Sequence, residues 1–244
     1  MAPKDVESQA LLQLEELDFS LGRTQILRSI NLSVDRGAIV CLLGRNGAGK
    51  SSILKNIIGI YRPTGGRITF NGRDITQSTS RQRVMMGLAY SPEDTRVFPY
   101  LTVEENINLG IWITEETRRE SHFRLDQALK IFPALERLLH RKGIHLSGGE
   151  KKMVSIARAL ALSPSLLLLD ESFEGLAPLI VGHFIEAMRE IRNMGISVLL
   201  AESNLRNASL VSEEAYIVER GEIIFSGSPA KISEDEELLK IVGR

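Results

Sequence analysis

The run Gly44-Arg45-Asn46-Gly47-Ala48-Gly49-Lys50-Ser51 sets glycines, a lysine and a hydroxyl in the order G-x-x-x-x-G-K-[ST]. Gly44, Gly47 and Gly49 let the backbone curl until several N–H groups point inward, forming a nest for polyphosphate oxygens. Lys50 can bridge the outer phosphates, Ser51 can take a place on Mg²⁺, and Ser52 continues the polar edge. A second candidate pair, Asp170-Glu171, closes the apolar run Leu166-Leu167-Leu168-Leu169. Asp170 is a hard oxygen ligand suited to Mg²⁺, and Glu171 can take a proton from an attacking water. A third element, Leu146-Ser147-Gly148-Gly149-Glu150, opens a helix with Ser147 as its cap, which makes a second anion-binding helix start. The chemistry these residues imply is binding and cleavage of a nucleoside triphosphate.

The elements around them fit that chemistry. The apolar segment Ala38 to Leu43 enters the glycine loop, and Ile53, Leu54, Ile57 and Ile58 leave it at helical spacing. Leu12, Leu14 and Leu17 mark a first strand, and Ile26, Ile30, Leu32 and Val34 the next segments. Pro63 to Gly66 and Asn71-Gly72 flank a short strand over 67–70, and Gly87 to Tyr90 reads as a buried strand. Helical spacing then dominates: Ile107, Ile111 and Trp112, and later Leu125, Leu129 and Phe132, with Glu115 and Glu116 opening the second helix. A helix from Gly149 to Leu162, the strand to Asp170, a helix over 179–193, a strand over 196–200, a hairpin over 215–225 and an acidic helix near 234–237 complete the chain. Strands alternating with helices predict an α/β fold: a mostly parallel sheet covered on both faces, with an antiparallel β subdomain. We expect one domain over 10–244, made of a core (10–91 and 146–244) and an α-helical insert (92–145), after a flexible terminus (1–9).

Composition narrows the classes. The chain has 244 residues, 43% hydrophobic and 25% charged, as in an ordinary globular protein. Thirty basic and 31 acidic side chains leave a net charge of -1, so nothing points to nucleic acid as a partner. No apolar run approaches the roughly 18 residues of a membrane span, and residues 1–9 lack the apolar core of a signal peptide. Cys41 is the single cysteine, mid-strand, and the histidines are scattered without metal-ligand spacing. A reducing cytoplasm is the expected compartment.

With these three motifs the chain resembles the ATP-binding-cassette (ABC) transporter ATPases from Leu12 onward. Arg96-Val97-Phe98, the run Leu101-Thr102-Val103-Glu104-Glu105-Asn106, and Gly175-Leu176-Ala177-Pro178 resemble the shorter ATPase subunit of branched-chain amino-acid uptake systems. The resemblance implies a phosphate-loop ATPase core using ATP and Mg²⁺. It implies two cassettes packed head to tail, with Ser147, Gly148, Gly149 and Glu150 meeting the partner's nucleotide. It also implies a membrane permease as partner, a solute-binding protein reached indirectly, and a place on the inner face of the membrane. Glu93 stands where that family places a glutamine near Mg²⁺ and the attacking water. The apolar loop Val97-Phe98-Pro99-Tyr100-Leu101 either packs under the insert or forms a docking groove for a permease helix.

Three positions depart from the family. Leu21 stands where an aromatic ring stacks on adenine, with Phe19 two residues earlier on the same strand face. Ser203 replaces the switch histidine, and Ser172 follows Glu171 where proline is usual. The leading expectation is an ATP-hydrolysing importer subunit for branched-chain amino acids or a related small polar solute. The alternatives are a nucleotide-binding regulatory cassette with weak hydrolysis in its own site, and a soluble ABC ATPase without a permease.

Overall fold

The structure is a computed structural model describing residues 10–113 and 118–242; the expected flexible terminus and the helix start at Glu115 and Glu116 lie outside the described residues. In chain order the elements are β1 (Leu12–Leu21), β2 (Thr24–Val34), β3 (Ile39–Leu43), α1 (Lys50–Ile58), β4 (Gly65–Phe70), β5 (Arg73–Asp74), α2 (Ser80–Met85) and β6 (Leu88–Ser91). Then come α3 (Val103–Ile113), α4 (Arg118–Ile131), two short 3₁₀ turns, α5 (Gly148–Leu160), β7 (Leu166–Asp170), α6 (Pro178–Asn193) and β8 (Ser197–Glu202). The chain closes with α7 (Leu205–Val211), β9 (Glu214–Glu219), β10 (Glu222–Gly227), α8 (Pro229–Glu234) and α9 (Glu236–Val242).

Two sheets organise the molecule, one of four strands in the order β2-β1-β4-β5 and one of six in the order β10-β9-β3-β8-β7-β6. The first is antiparallel. In the second, β9, β3, β8, β7 and β6 run parallel and β10 adds an antiparallel edge. The unbroken apolar runs of β3, β7 and β8 are buried on both faces, and their alternation divides them between two cores. Cys41, Leu43, Leu167, Leu169, Val198 and Leu200 face the helical side. Val40, Leu42, Leu166, Leu168, Leu199 and Ala201 face the opposite core, where α1 packs between the two sheets through Ile53, Leu54, Ile57 and Ile58.

α1 begins at the phosphate loop and ends at Gly59. Its last carbonyls are closed by Arg83 of α2, a side chain 1% exposed. That guanidinium donates to the carbonyls of Asn56, Ile57, Thr76 and Ser78. α2 and α7 add to the elements expected from the sequence. Both carry readable caps: a Thr79–Gln82 capping box, and an Asn204 side chain accepting from the Asn207 N–H. The acidic C-terminal segment is two helices rather than one, parted at Asp235. Among the described residues no helix is long and apolar enough to cross a membrane.

Candidate active site

β3 and β7 are parallel and both flank β8, so the loops that follow them open on one end of the sheet. That end is where an open α/β sheet places its ligand. Gly44 leaves β3 so close to the next strand that a Cβ there would meet the Val218 carbonyl at 2.3 Å. Gly49 caps α1 at φ 116, a conformation side chains resist. The loop is held in place by the β9–β10 turn, where Gly221 N–H donates to the Ala48 carbonyl at 2.8 Å and its own carbonyl accepts from Arg28 N–H.

Asn46, Gly47, Gly49, Lys50, Ser51 and Ser52 line a cleft of about 400 Å³, with Ile26, Glu93 and Glu171 completing its wall. Within it Lys50 and Glu171 form a buried ion pair, Nζ to Oε1 2.9 Å. The same ammonium donates to the carbonyls of Gly44 at 2.7 Å and Arg45 at 3.2 Å. Ser51 Oγ donates to Asp170 Oδ1 at 2.8 Å, and the Tyr90 hydroxyl donates to Oδ2 at the same distance. Burial first, then the Asp170 charge, pushes the Tyr90 pKa well up, so this hydroxyl stays a proton donor. Loop and carboxylate strand therefore meet at one end of the sheet.

The family model for the ABC transporter matches residues 27–174. The chain belongs to the ABC transporter ATPase family. It is 34% identical over 222 residues to the high-affinity branched-chain amino acid transport ATP-binding protein BraG of Pseudomonas aeruginosa, covering 91% of this chain and 94% of that protein. It is 37% identical to the lipopolysaccharide export system ATP-binding protein LptB of Acidithiobacillus ferridurans, covering 92% and 93% of the two chains. Its fold superposes with a TM-score of 0.82, at 26% identity, on the ADP conformation of MJ1267, an ATP-binding cassette of an ABC transporter, covering 97% of this chain and all of that one. As an ABC cassette it binds and hydrolyses ATP.

Other expected residues of the cassette are dispersed. Ser147 and Gly148 lie exposed at the start of α5, outside the cleft of this chain's own phosphate loop. Ser147 and Glu150 form a capping box, the Ser147 N–H donating to Glu150 Oε2 at 2.7 Å and the Glu150 N–H to Ser147 Oγ at 3.3 Å. Arg45 turns its guanidinium away from the cleft to the Lys240 carbonyl of α9, at 2.6 Å, and Ala48 lines the hollow behind the loop. Leu21 is 62% exposed and stands apart from the cleft lining. Phe19 is buried and stacked on Tyr61, centroids 4.8 Å apart, so it offers no ring to a base. The apolar side chain beside the loop is Ile26, which the sequence reading assigned only to a strand. Ser203 does not line the cleft either; its hydroxyl donates to Glu171 Oε2 at 3.3 Å.

Two further groups emerge from the structure alone. Glu202, at the end of β8, is buried and accepts from the Phe173 N–H at 3.0 Å; burial raises its pKa to about 8. Lys152 of α5 donates to the main-chain carbonyls of Glu171 and Glu174. Nothing in their spacing signals either role, because each depends on which element ends packs nearby.

Proposed function

We propose that this cassette is the ATP-hydrolysing subunit of an importer for branched-chain amino acids or a related small polar solute, working as a head-to-tail pair of cassettes on the cytoplasmic side of a membrane permease. The observation that carries the catalytic part is the convergence of Lys50, Ser51, Asp170 and Glu171 in one cleft. Glu171 neutralises the Lys50 ammonium. An incoming triphosphate competes for that ammonium and leaves Glu171 to accept a proton from water. Glu93, on the cleft wall, is the second carboxylate able to orient that water.

The residues present fit Mg²⁺. Among the described residues no group of three or more His, Cys, Asp or Glu could hold a metal alone. Ser51 and Asp170 instead present adjacent hard oxygens beside the phosphate nest, a donor set for a cation shared with a phosphate and its waters. When bound, the cation supplies charge neutralisation on phosphate oxygens. Ser51 and Asp170 would hold it, and Tyr90 fixes the Asp170 orientation.

The exposed start at Ser147 and Gly148 supports the paired assembly, since these residues have no nucleotide of their own to meet. Exposure of Phe98 and Tyr100 (76% for the latter) supports permease docking at the 97–101 loop of the helical insert, 92–145. BraG supports the amino-acid cargo, and LptB leaves export of a larger substrate as the second transport reading. Ser203 in place of the switch histidine favours one other alternative, a regulatory cassette whose own site turns over slowly.

Glu171→Gln tests hydrolysis: we expect ATPase turnover of the complex to fall roughly 10²-fold or more with nucleotide binding retained. An unchanged rate would favour the regulatory reading. Purification from detergent-solubilised membranes, followed by solute-stimulated ATPase measurement with leucine, isoleucine and valine, tests the cargo. Recovery with lipopolysaccharide-export components instead would sink the importer assignment.

A further inference from the structure

Lys152, in the first turns of α5, sends its ammonium under the turn that follows β7. There it donates to the Glu171 carbonyl and, at 2.8 Å, to the Glu174 carbonyl. Glu171 has φ 47, a left-handed backbone for a residue with a side chain, which persists only where the surroundings impose it. Those surroundings are specific. The Glu171 N–H donates to the Ala201 carbonyl at 2.9 Å, Oε1 pairs with Lys50, and Oε2 accepts from Ser203. Lys152 supplies what is left, the donor on the carbonyl. Its ammonium is half-buried: desolvation lowers its pKa, and the carboxylates of Glu202, Glu174, Glu171 and Glu93 only oppose that shift.

The helix that carries Lys152 is the one that opens at Ser147-Gly148-Gly149. At that opening a Cβ on Gly149 would meet Ile180 at 3.4 Å and Leu176 at 3.6 Å, so the start of α5 is also in contact with the segment after the catalytic turn. One side chain therefore joins this helix to the main chain of Glu171.

We propose that Lys152 is a positioning residue for hydrolysis, which ties the place of the Glu171 carboxylate to the helix start that faces the partner cassette's nucleotide. The two nucleotide sites of a paired assembly are thereby linked through a lysine that touches neither nucleotide. This rests on the reading that Glu171 accepts the proton from water and that Ser147 to Gly149 meet the partner's ATP.

The test compares full-length wild type, Lys152→Ala, Lys152→Arg and Glu171→Gln for ATPase kinetics, affinity for a fluorescent ATP analogue, and amide hydrogen exchange. We expect Lys152→Ala to lower kcat roughly 10- to 100-fold while KM and analogue affinity stay within about twofold, as for a misplaced catalytic group. Amide exchange over 171–175 should quicken with the rest of the chain unaltered. Lys152→Arg, which can still donate to both carbonyls, should restore most of kcat and the slow exchange. Wild-type kcat in Lys152→Ala, or unaltered exchange over 171–175, would overturn the proposal. So would a loss that arginine leaves unrescued and that comes with faster exchange throughout the chain. If turnover is too slow to measure, the exchange comparison decides alone. Wild-type turnover in Glu171→Gln would instead overturn the assignment of the base, a failure distinct from any result at Lys152.

Discussion

The buried carboxylates near the cleft have different partners. Glu171 is paired with an ammonium and hydrogen-bonded by a hydroxyl, whereas Glu202 has one main-chain N–H and little water. Removing the Ser203 hydroxyl leaves Glu171 Oε2 without that donor. One such hydrogen bond is worth about 1 kcal/mol, so Ser203→Ala should lower kcat about fivefold with KM little changed, measurable in steady-state ATPase assays. Glu202 gives a pH signature. Its folded-state pKa, about 8, exceeds the ordinary value of 4.5, so the folded chain binds the extra proton between those limits. Its contribution is fully present below the lower limit and is lost as pH rises through the upper one. Glu202→Gln keeps an acceptor for Phe173 and removes the titration. The Tm of this variant relative to wild type should therefore be higher at pH 9 than at pH 6, and a constant difference across that range would refute the assignment.

At the scale of elements, the phosphate loop is positioned by neighbours that never contact nucleotide. The β9–β10 turn fixes its front through Gly221, and Arg83 of α2 fixes the far end of α1. A buried guanidinium serving four carbonyls takes a donor from each when it is lost, and of the four the Asn56 carbonyl keeps the Gly59 N–H. Arg83→Met should destabilise the chain by about 3 kcal/mol, read as a lower urea midpoint at unchanged m-value. The apolar 97–101 loop is held by a different buried group. The Asn106 carboxamide accepts from the Phe98 N–H and donates to the carbonyls of Phe98, Leu101 and Thr102. These bonds hold the loop backbone from its inner side, while Phe98 and Tyr100 stay exposed.

At the scale of the molecule, the separation of the cleft from Ser147 and Gly148 makes one chain an incomplete machine in the proposed assembly. Burying ATP between two copies or between this chain and another cassette should make association depend on nucleotide. In sedimentation velocity, Glu171→Gln with ATP and Mg²⁺ should shift toward a dimer relative to the nucleotide-free protein if the chain pairs with itself. An unshifted profile would direct the search to a different partner subunit. The C-terminal helices join the same system, since α9 receives the Arg45 guanidinium from the loop itself.

The sequence by itself determined the phosphate loop, the carboxylate strand, the capped helix start at Ser147 and the alternation of strands with helices. All of these are local: glycine spacing, apolar periodicity and caps depend on near neighbours along the chain. Leu21 and Phe19 were less legible, because a register shift between Phe19 and Ser20 interrupts the expected alternation and leaves Phe19 buried and Leu21 exposed. Only the tertiary structure decided that Ile26 lines the cleft, that Tyr90 hydrogen-bonds Asp170, that Ser203 hydrogen-bonds Glu171, and that Lys152 and Glu202 stand beside the turn after β7. Those contacts join residues from strands and helices far apart in the chain, and their geometry comes from how two sheets and their helices pack.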